Sequence, residues 1–333
     1  MKKPFRSFLV SLAIIFAAVL VFAWSSGSFT GLFSANAEVA PESKIRIASW
    51  NIENFGQKKA NDPLVMALIA ENIKSYDIIA IQEISNLYEK SDASCPRNRD
   101  SCPGHENCGL ISLALDFALN EKYGQDYRFV FSDAVRDERY LYVYNPDRVA
   151  LVYSGLVLDP GDTSYPCDLA DSNIGRMARQ PFKAVFQKDN FTFTLLSAHT
   201  SPSRNIEELE GLEYFYRAEE SAGSPSIIVL GDLNADCNYL PQTQQIGFRD
   251  SRYTWVVSDS EDTTAAKTSC AYDRFIFTGE AKRHFTGNYG ISATTTDAVS
   301  DHYLVWAEFT SQEIPRGGGL TGILDGAFQF LFG

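Results

Sequence analysis

The chain has 333 residues, 42 acidic and 29 basic, for a formal net charge of −13. With 45% apolar and 13% aromatic residues it is neither disordered nor fibrous. The acidity argues against passive, charge-driven coating of nucleic acid. It is compatible with an enzyme that handles phosphodiesters, because a bound divalent cation reverses the local sign of the field. No repeat with a period of about 20–50 residues is present, which removes solenoids and propellers.

The first residues read as an export signal. Lys2, Lys3 and Arg6 form a positive start, Phe8 to Trp24 is apolar apart from Ser11, and Ala35-Asn36-Ala37 is a small-x-small cleavage site. Residues 1–37 are therefore expected to be a signal peptide, whose loss takes the mature charge to −16. The alternative is an uncleaved anchor, since a 17-residue stretch lies at the lower limit of a membrane span. Roughly 300 mature residues suffice for one large core or two small ones. Cys95, Cys102, Cys108, Cys167, Cys237 and Cys270 all fall in the mature part. An even number in an oxidising compartment suggests disulfides.

Residues 38–310 are expected to form one α/β domain. Ile45 to Ser49 is a short strand in which Ile45 and Ile47 alternate with Lys44 and Arg46. Asn61-Asp62-Pro63 starts a helix, with a capping side chain and Pro in the first turn. Leu64, Leu68, Val65, Ile69 and Ile73 form its apolar stripe. Asp77 to Gln82 is a buried strand, and residues 91–109 are a polar, cysteine-rich insertion. A second helix follows, with Leu110, Leu113, Ala114, Phe117 and Ala118 on one face. Strands are expected at 127–132, 139–144, 149–153, 182–187 and 191–197. Asn205 to Glu220 is an acidic amphipathic helix with Asn205 and Glu208 at capping-box spacing. Further strands are Ser226 to Leu230, Arg274 to Phe277 and Tyr303 to Phe309. Strand–strand neighbours dominate the later part, which points to a mixed sheet. In the tail, 311–333, Gly317-Gly318-Gly319 is a flexible joint. Leu320, Ile323, Leu324, Ala327, Phe328 and Leu331 then recur at helical spacing, so residues 320–332 are either a docked helix or a membrane or partner contact.

Short apolar strands here repeatedly end in the same kinds of polar residue. Ser49-Trp50-Asn51, Ile81-Gln82-Glu83, Ser197-Ala198-His199 and Gly231-Asp232-Leu233-Asn234 close four of them. Asp273 opens a strand, and Ser300-Asp301-His302 precedes the last. Polar residues at strand ends of α/β folds converge in a crevice. The sum is two His, four carboxylates and two Asn, which suits metal-assisted phosphodiester hydrolysis. Carboxylate and amide oxygens bind a hard cation such as Mg²⁺, and imidazoles exchange protons with water and leaving oxygen. Taken singly, each residue reads as readily as a turn Asn or a structural His. Yet two of the chain's four His fall in these clusters.

The order of motifs resembles the endonuclease/exonuclease/phosphatase superfamily, and within it the deoxyribonuclease I branch. The resemblance rests on Ile47 to Gly56, Tyr76 to Glu83, Glu138-Arg139-Tyr140, Ser197-Ala198-His199, Gly231 to Cys237, Asp262-Thr263-Thr264, Cys270 to Arg274 and Ser300 to Tyr303. It implies a four-layered sandwich of two packed mixed β-sheets flanked by helices. It implies Glu83, Asn51 and Asp301 as ligands of an active-site Mg²⁺ (or Mn²⁺), with Asp232 and Asn234 holding phosphate and attacking water. His199 with Glu138, and His302 with Asp273, are then the two acid/base imidazoles, and Arg179 contacts phosphate. Asp262, Thr264 and Thr268 match a structural Ca²⁺ loop. Cys237 and Cys270 match a family bridge, worth ~3 kcal/mol by the restriction it places on the unfolded chain. Cys167 stands where the family has a small local bridge, so one of Cys95, Cys102 and Cys108 is expected to reach it and the other two to pair. The alternative is a zinc knot of Cys95, Cys102, His105 and Cys108.

Some family features are missing. Ser85 and Arg136 replace the Arg and Tyr that read the DNA minor groove, and Glu53 replaces an Arg near the first strand. Lys90, Arg97 and Arg99, after Glu83, are expected either to replace those contacts or to form a solvated charged loop. The implied protein is a secreted or periplasmic, monomeric, divalent-metal-dependent endonuclease cutting DNA to 5′-phosphate ends. The alternatives are a phospholipid phosphodiesterase of the same superfamily, sphingomyelinase-like, and a non-catalytic binding protein on the same scaffold.

Overall fold

Two six-stranded sheets are built on the same plan, each with a parallel pair at its centre. This computed structural model describes residues 41–85, 105–136, 138–157, 176–265, 267–293 and 296–314. The signal peptide, Lys90, Cys95, Arg97, Arg99, Cys102, Cys167, the side chains of His105 and Cys108, and the tail 320–332 lie outside the described residues.

The first sheet holds β1 (Lys44–Phe55), β2 (Ile78–Ser85), β3 (Arg128–Phe131), β4 (Glu138–Tyr144), β11 (Phe285–Ser292) and β12 (Leu304–Thr310), in the order β11-β12-β1-β2-β4-β3. The second holds β5 (Ala150–Leu156), β6 (Phe182–Lys188), β7 (Phe191–His199), β8 (Ile227–Asp232), β9 (Thr254–Trp255) and β10 (Asp273–Phe277), in the order β5-β6-β7-β8-β10-β9. Only β1–β2 and β7–β8 run parallel; the other pairs are antiparallel. A parallel pair needs a crossover. The helix Pro63–Ile73 supplies it for β1–β2, and the helix Asn205–Ser221 for β7–β8.

Strand alternation sorts the side chains into three cores. Ile45, Ile47, Ile78, Tyr140, Tyr142 and Phe182 are buried between the sheets, with Phe186, Phe193 and Phe275. Trp50, Ile52, Ile69, Ile73 and Leu119 pack under the helices on the first sheet. Leu209, Leu212, Phe215 and Val229 do the same on the second. The layers are thus helix, sheet, sheet, helix, the four-layered sandwich that the motifs imply. Each buried Ile, Leu or Phe contributes about 1.5–3 kcal/mol, so the inner layer fixes how the sheets mate.

Several local readings need correction. In Pro63–Ile73, Asp62 does cap the first turn, accepting from Leu64 N and Val65 N. The buried face, however, is Val65, Met66, Ile69, Ala70 and Ile73, while Leu64 and Leu68 are exposed. That segment is apolar nearly all round, so its pattern does not orient it. The next helix starts at His105, inside the expected loop, and buries Ile111, Leu115, Ala118 and Leu119, leaving Leu113 and Phe117 exposed. Asn205 and Glu208 make no capping box. Asn205 accepts from Thr200 Oγ1 at 2.8 Å and donates to Asn234 O at 2.8 Å, and Glu208 accepts from Ser201 N at 2.8 Å and Ala178 N at 3.2 Å. Both side chains are buried and tie loops together.

Candidate active site

A parallel pair sends both carboxyl ends to one edge, and an antiparallel neighbour begins where they end. Asn51 and Glu83 therefore lie at that edge on β1 and β2, and His199 and Asp232 on β7 and β8. Glu138 and Asp273 are the first residues of β4 and β10. Registers place Asp232 beside both His199 and Asp273. His302 arrives just before β12, held by Trp50, whose indole donates to its carbonyl at 2.9 Å. Ser300 joins the same edge by donating from Oγ to Asn51 O at 2.6 Å.

Both imidazoles converge on Asp232. His199 Nε2 is 3.6 Å, and His302 Nε2 3.5 Å, from Asp232 Oδ2. The opposite ring nitrogens are bound to carboxylates: His199 Nδ1 to Glu138 at 2.9 Å and His302 Nδ1 to Asp273 at 2.9 Å. Each pair bridges the sheets, and in opposite senses. His199 belongs to the second sheet and Glu138 to the first; His302 leads into the first and Asp273 opens a strand of the second. Asn51 Nδ2 links the halves by donating to Asp232 Oδ2 at 3.1 Å and Glu83 Oε1 at 3.0 Å. Asn54 N holds the other Glu83 oxygen at 3.0 Å.

Burial and charge set the protonation states. Burial opposes charge on His199, but Glu138 outweighs it and raises the ring's pKa. Burial also opposes charge on His302, yet Asp273 and Asp232 push its pKa up to about 10. Asp232 is buried, which favours its neutral form, but the flanking imidazoles hold its pKa below the ordinary carboxylate value. Arg179 pairs with Glu138, and its Nη1 lies 3.3 Å from Ser201 Oγ. Glu83 and Asn234 adopt left-handed backbone, φ 58° and 46°. Such strain costs about 1–3 kcal/mol per residue and clusters at functional sites.

The residues fit a hard cation. Asn51 Oδ1 is buried and has no hydrogen-bond partner among the described residues, and it belongs to the amide that contacts Glu83. Asp301 is exposed at the rim. A second acidic group, Asp232, Asp273 and His302, has ligand atoms within 4.8 Å of one another. There, Asp273 Oδ2 and His302 Nδ1 are already bonded to each other, while Asp273 Oδ1 is buried with no hydrogen-bond partner among the described residues. The expected calcium residues share one loop, in which Asp262 Oδ1 accepts from Thr264 N at 3.0 Å and the Thr264 hydroxyl lies 3.0 Å from Thr268 O. Cys237 and Cys270 form a disulfide with Cα atoms 5.9 Å apart.

Sequence reasoning missed several supports. The Tyr140 hydroxyl accepts from His199 N and that of Tyr142 from Ser197 N, each at 3.1 Å. Thr263 Oγ1 accepts from Asp273 N at 3.1 Å. Arg274, fully buried, donates to Ala235 O at 3.0 Å and pairs with Asp259 at 2.7 Å, which steadies the loop after Asp232. Lys59 donates to Glu53 O and, at 2.7 Å, to Val299 O. The only sequence signal for Arg274 was a cation adjoining Asp273; Lys59 gave none.

Comparison with known proteins identifies the family. The model of the Endonuclease/Exonuclease/phosphatase family matches residues 48–302. Deoxyribonuclease-1 of Oryctolagus cuniculus is 28% identical over 302 residues, covering 84% of this chain and 98% of that protein. Deoxyribonuclease-1 of Homo sapiens is 29% identical over 284 residues, covering 78% and 90%. A crystal structure of Caenorhabditis elegans TDP2 aligns with TM-score 0.53 at 12% identity, covering 92% of this chain and 88% of that one. That of D. rerio TDP2 complexed with single strand DNA product aligns with TM-score 0.51 at 14% identity, covering 81% and 100%. At such identity the structures show the fold alone. The chain belongs to the endonuclease/exonuclease/phosphatase family, as a deoxyribonuclease I-like hydrolase of phosphodiesters.

Proposed function

We propose that the chain is an exported, divalent-cation-dependent endonuclease that hydrolyses DNA phosphodiester bonds and leaves 5′-phosphate ends. The observation that carries this reading is the meeting of two carboxylate-backed imidazoles on one oxygen of Asp232, beside Asn51 and Glu83. The likeness to deoxyribonuclease-1 over most of the chain supports DNA as substrate. The leader and the Cys237–Cys270 bridge support export.

Glu83, Asn51 and Asp301 would hold Mg²⁺ or Mn²⁺, which when bound offsets charge on the phosphoryl oxygens. Asp262, Thr264 and Thr268 would hold a structural Ca²⁺. Asp232 and Asn234 position phosphate and water, and Arg179 meets a phosphate oxygen. Two carboxylates, Asp273 and Asp232, keep the proton on His302. Arg179 pairs with Glu138 and opposes the rise in the His199 pKa. In this reading His199 Nε2, in its neutral form, takes the proton of the attacking water as its oxygen bonds to phosphorus. His302 Nε2 gives its proton to the leaving 3′ oxygen as the P–O3′ bond breaks.

Supercoiled-plasmid nicking with Mg²⁺ and Ca²⁺, against chelator and against Glu83→Gln, tests the reading, with end-labelling to identify the 5′-phosphate. Cleavage that needs the cation and Glu83 is expected. Hydrolysis of sphingomyelin vesicles without plasmid nicking would move the substrate to lipid, and no hydrolysis of either would sink the enzymatic reading.

A further inference from the structure

Lys59 is the second-last residue of the four-residue helix Gln57–Ala60, directly after β1. Its ammonium is half-buried and donates to two carbonyls: Glu53 O, at the end of β1, and Val299 O at 2.7 Å. These acceptors lie in different parts of the chain, with 240 positions between Lys59 and Val299. The Val299 side chain is itself buried in the core beneath the helices of the first sheet, so its carbonyl is a fixed anchor. Asp301 lies two residues further on and His302 three. The turn that carries them is tied to the Asn51 side by few bonds among the described residues. Ser300 Oγ donates to Asn51 O, Trp50 donates to His302 O, and Lys59 adds a third link at Val299 O, where the turn begins. The charges of Glu53, Glu83 and Asp301 act on the Lys59 ammonium, and two of these three, Glu83 and Asp301, are the proposed cation ligands.

We propose that Lys59 is a positioning residue of the cation site, stitching the strand end that carries Asn51 and Glu83 to the turn that carries Asp301 and His302. The inference rests on Glu83, Asn51 and Asp301 being the cation ligands. An ammonium near such a site has two opposite consequences. As a like charge it repels an incoming cation; as a strap it keeps the ligands at their spacing. Bonds to two carbonyls from a half-buried stem favour the strap, because a mere counter-charge would face water. Outer partners that orient ligands are worth about 10–100-fold in metal affinity.

The test is direct Mn²⁺ binding by calorimetry to the full mature chain, as wild type, Lys59→Met, Lys59→Arg and Glu83→Gln. The imidazole proton signals of His302 are followed by NMR in the metal-free protein. Lys59→Met is expected to weaken Mn²⁺ binding by about tenfold and to shift the His302 signals without metal, and Lys59→Arg to recover part of both. Unchanged or tighter Mn²⁺ binding by Lys59→Met, with His302 signals unmoved, overturns the proposal. Should Lys59→Met fail to fold, Lys59→Gln is judged by the same two readouts. Glu83→Gln separates the levels. If it loses Mn²⁺ while Lys59→Met does not, only the strap is wrong; if Glu83→Gln binds like wild type, the ligand assignment itself fails.

Discussion

Trp50 donates its indole N–H to the backbone carbonyl of His302 at 2.9 Å, across 252 positions of sequence. Trp50 is fully buried, so the bond has no water to replace it. Trp50→Phe keeps most of the packing but orphans that carbonyl. We expect a loss of about 1–3 kcal/mol in urea unfolding, with a drop in plasmid nicking because His302 loses its seat. An unchanged unfolding midpoint would show that the bond adds nothing.

The two imidazoles are predicted to be indispensable separately and to act as a unit. His199→Ala and His302→Ala should each lower turnover by roughly 100- to 10,000-fold, the usual general acid–base contribution. The double substitution should cost less than the product of the two, since groups that act together are not additive. Near-wild-type nicking by either single variant removes the assignment.

Stability should depend on pH through His302. Its pKa rises from 6.5 unfolded to about 10 folded, burial opposing the rise and Asp273 and Asp232 driving it. The folded state therefore holds the proton more tightly. The stabilisation is complete below pH 6.5 and drains away as pH climbs through about 10. The gap in unfolding free energy between wild type and His302→Asn should be widest near pH 6 and close toward pH 10. A gap that widens with pH would reverse the sign.

Gly231 has φ 144°, and a Cβ there would sit 1.9 Å from the carbonyl oxygen of Ala198. The contact is backbone to backbone, so neither partner can swing away. Gly231→Ala should part β7 from β8 where His199 faces Asp232, lowering both Tm and nicking rate. A variant with wild-type Tm would show that the strands yield freely.

Most of the fold and site was legible because strand ends announce themselves. The alternation of Ile45 and Ile47 set the face of β1, and polar residues after apolar runs marked Asn51, Glu83, His199 and Asp232. What stayed hidden has physical reasons. The strand β11 carries Gly287, Asn288 and Gly290, which disfavour strands, and it leans on β12 at a sheet edge. Leu64 and Leu113 sit among apolar neighbours on every side, so periodicity could not tell the buried face from the open one. Asn205 and Glu208 have the spacing of a cap, but their side chains are shared between the preceding turn at Thr200 and Ser201 and the distant Asn234 and Ala178, which local sequence does not encode.

The crossed pairs carry a further consequence. Because each ring reaches over to a carboxylate on the facing layer, and in opposite senses, a slip of one layer past the other would stretch both proton relays in one motion. No half-active form would survive such a slip. The phenol-and-phenylalanine filling made by Tyr140, Tyr142 and Phe182 then holds the proposed site at its spacing, and substitutions there are expected to lower plasmid nicking before they lower Tm.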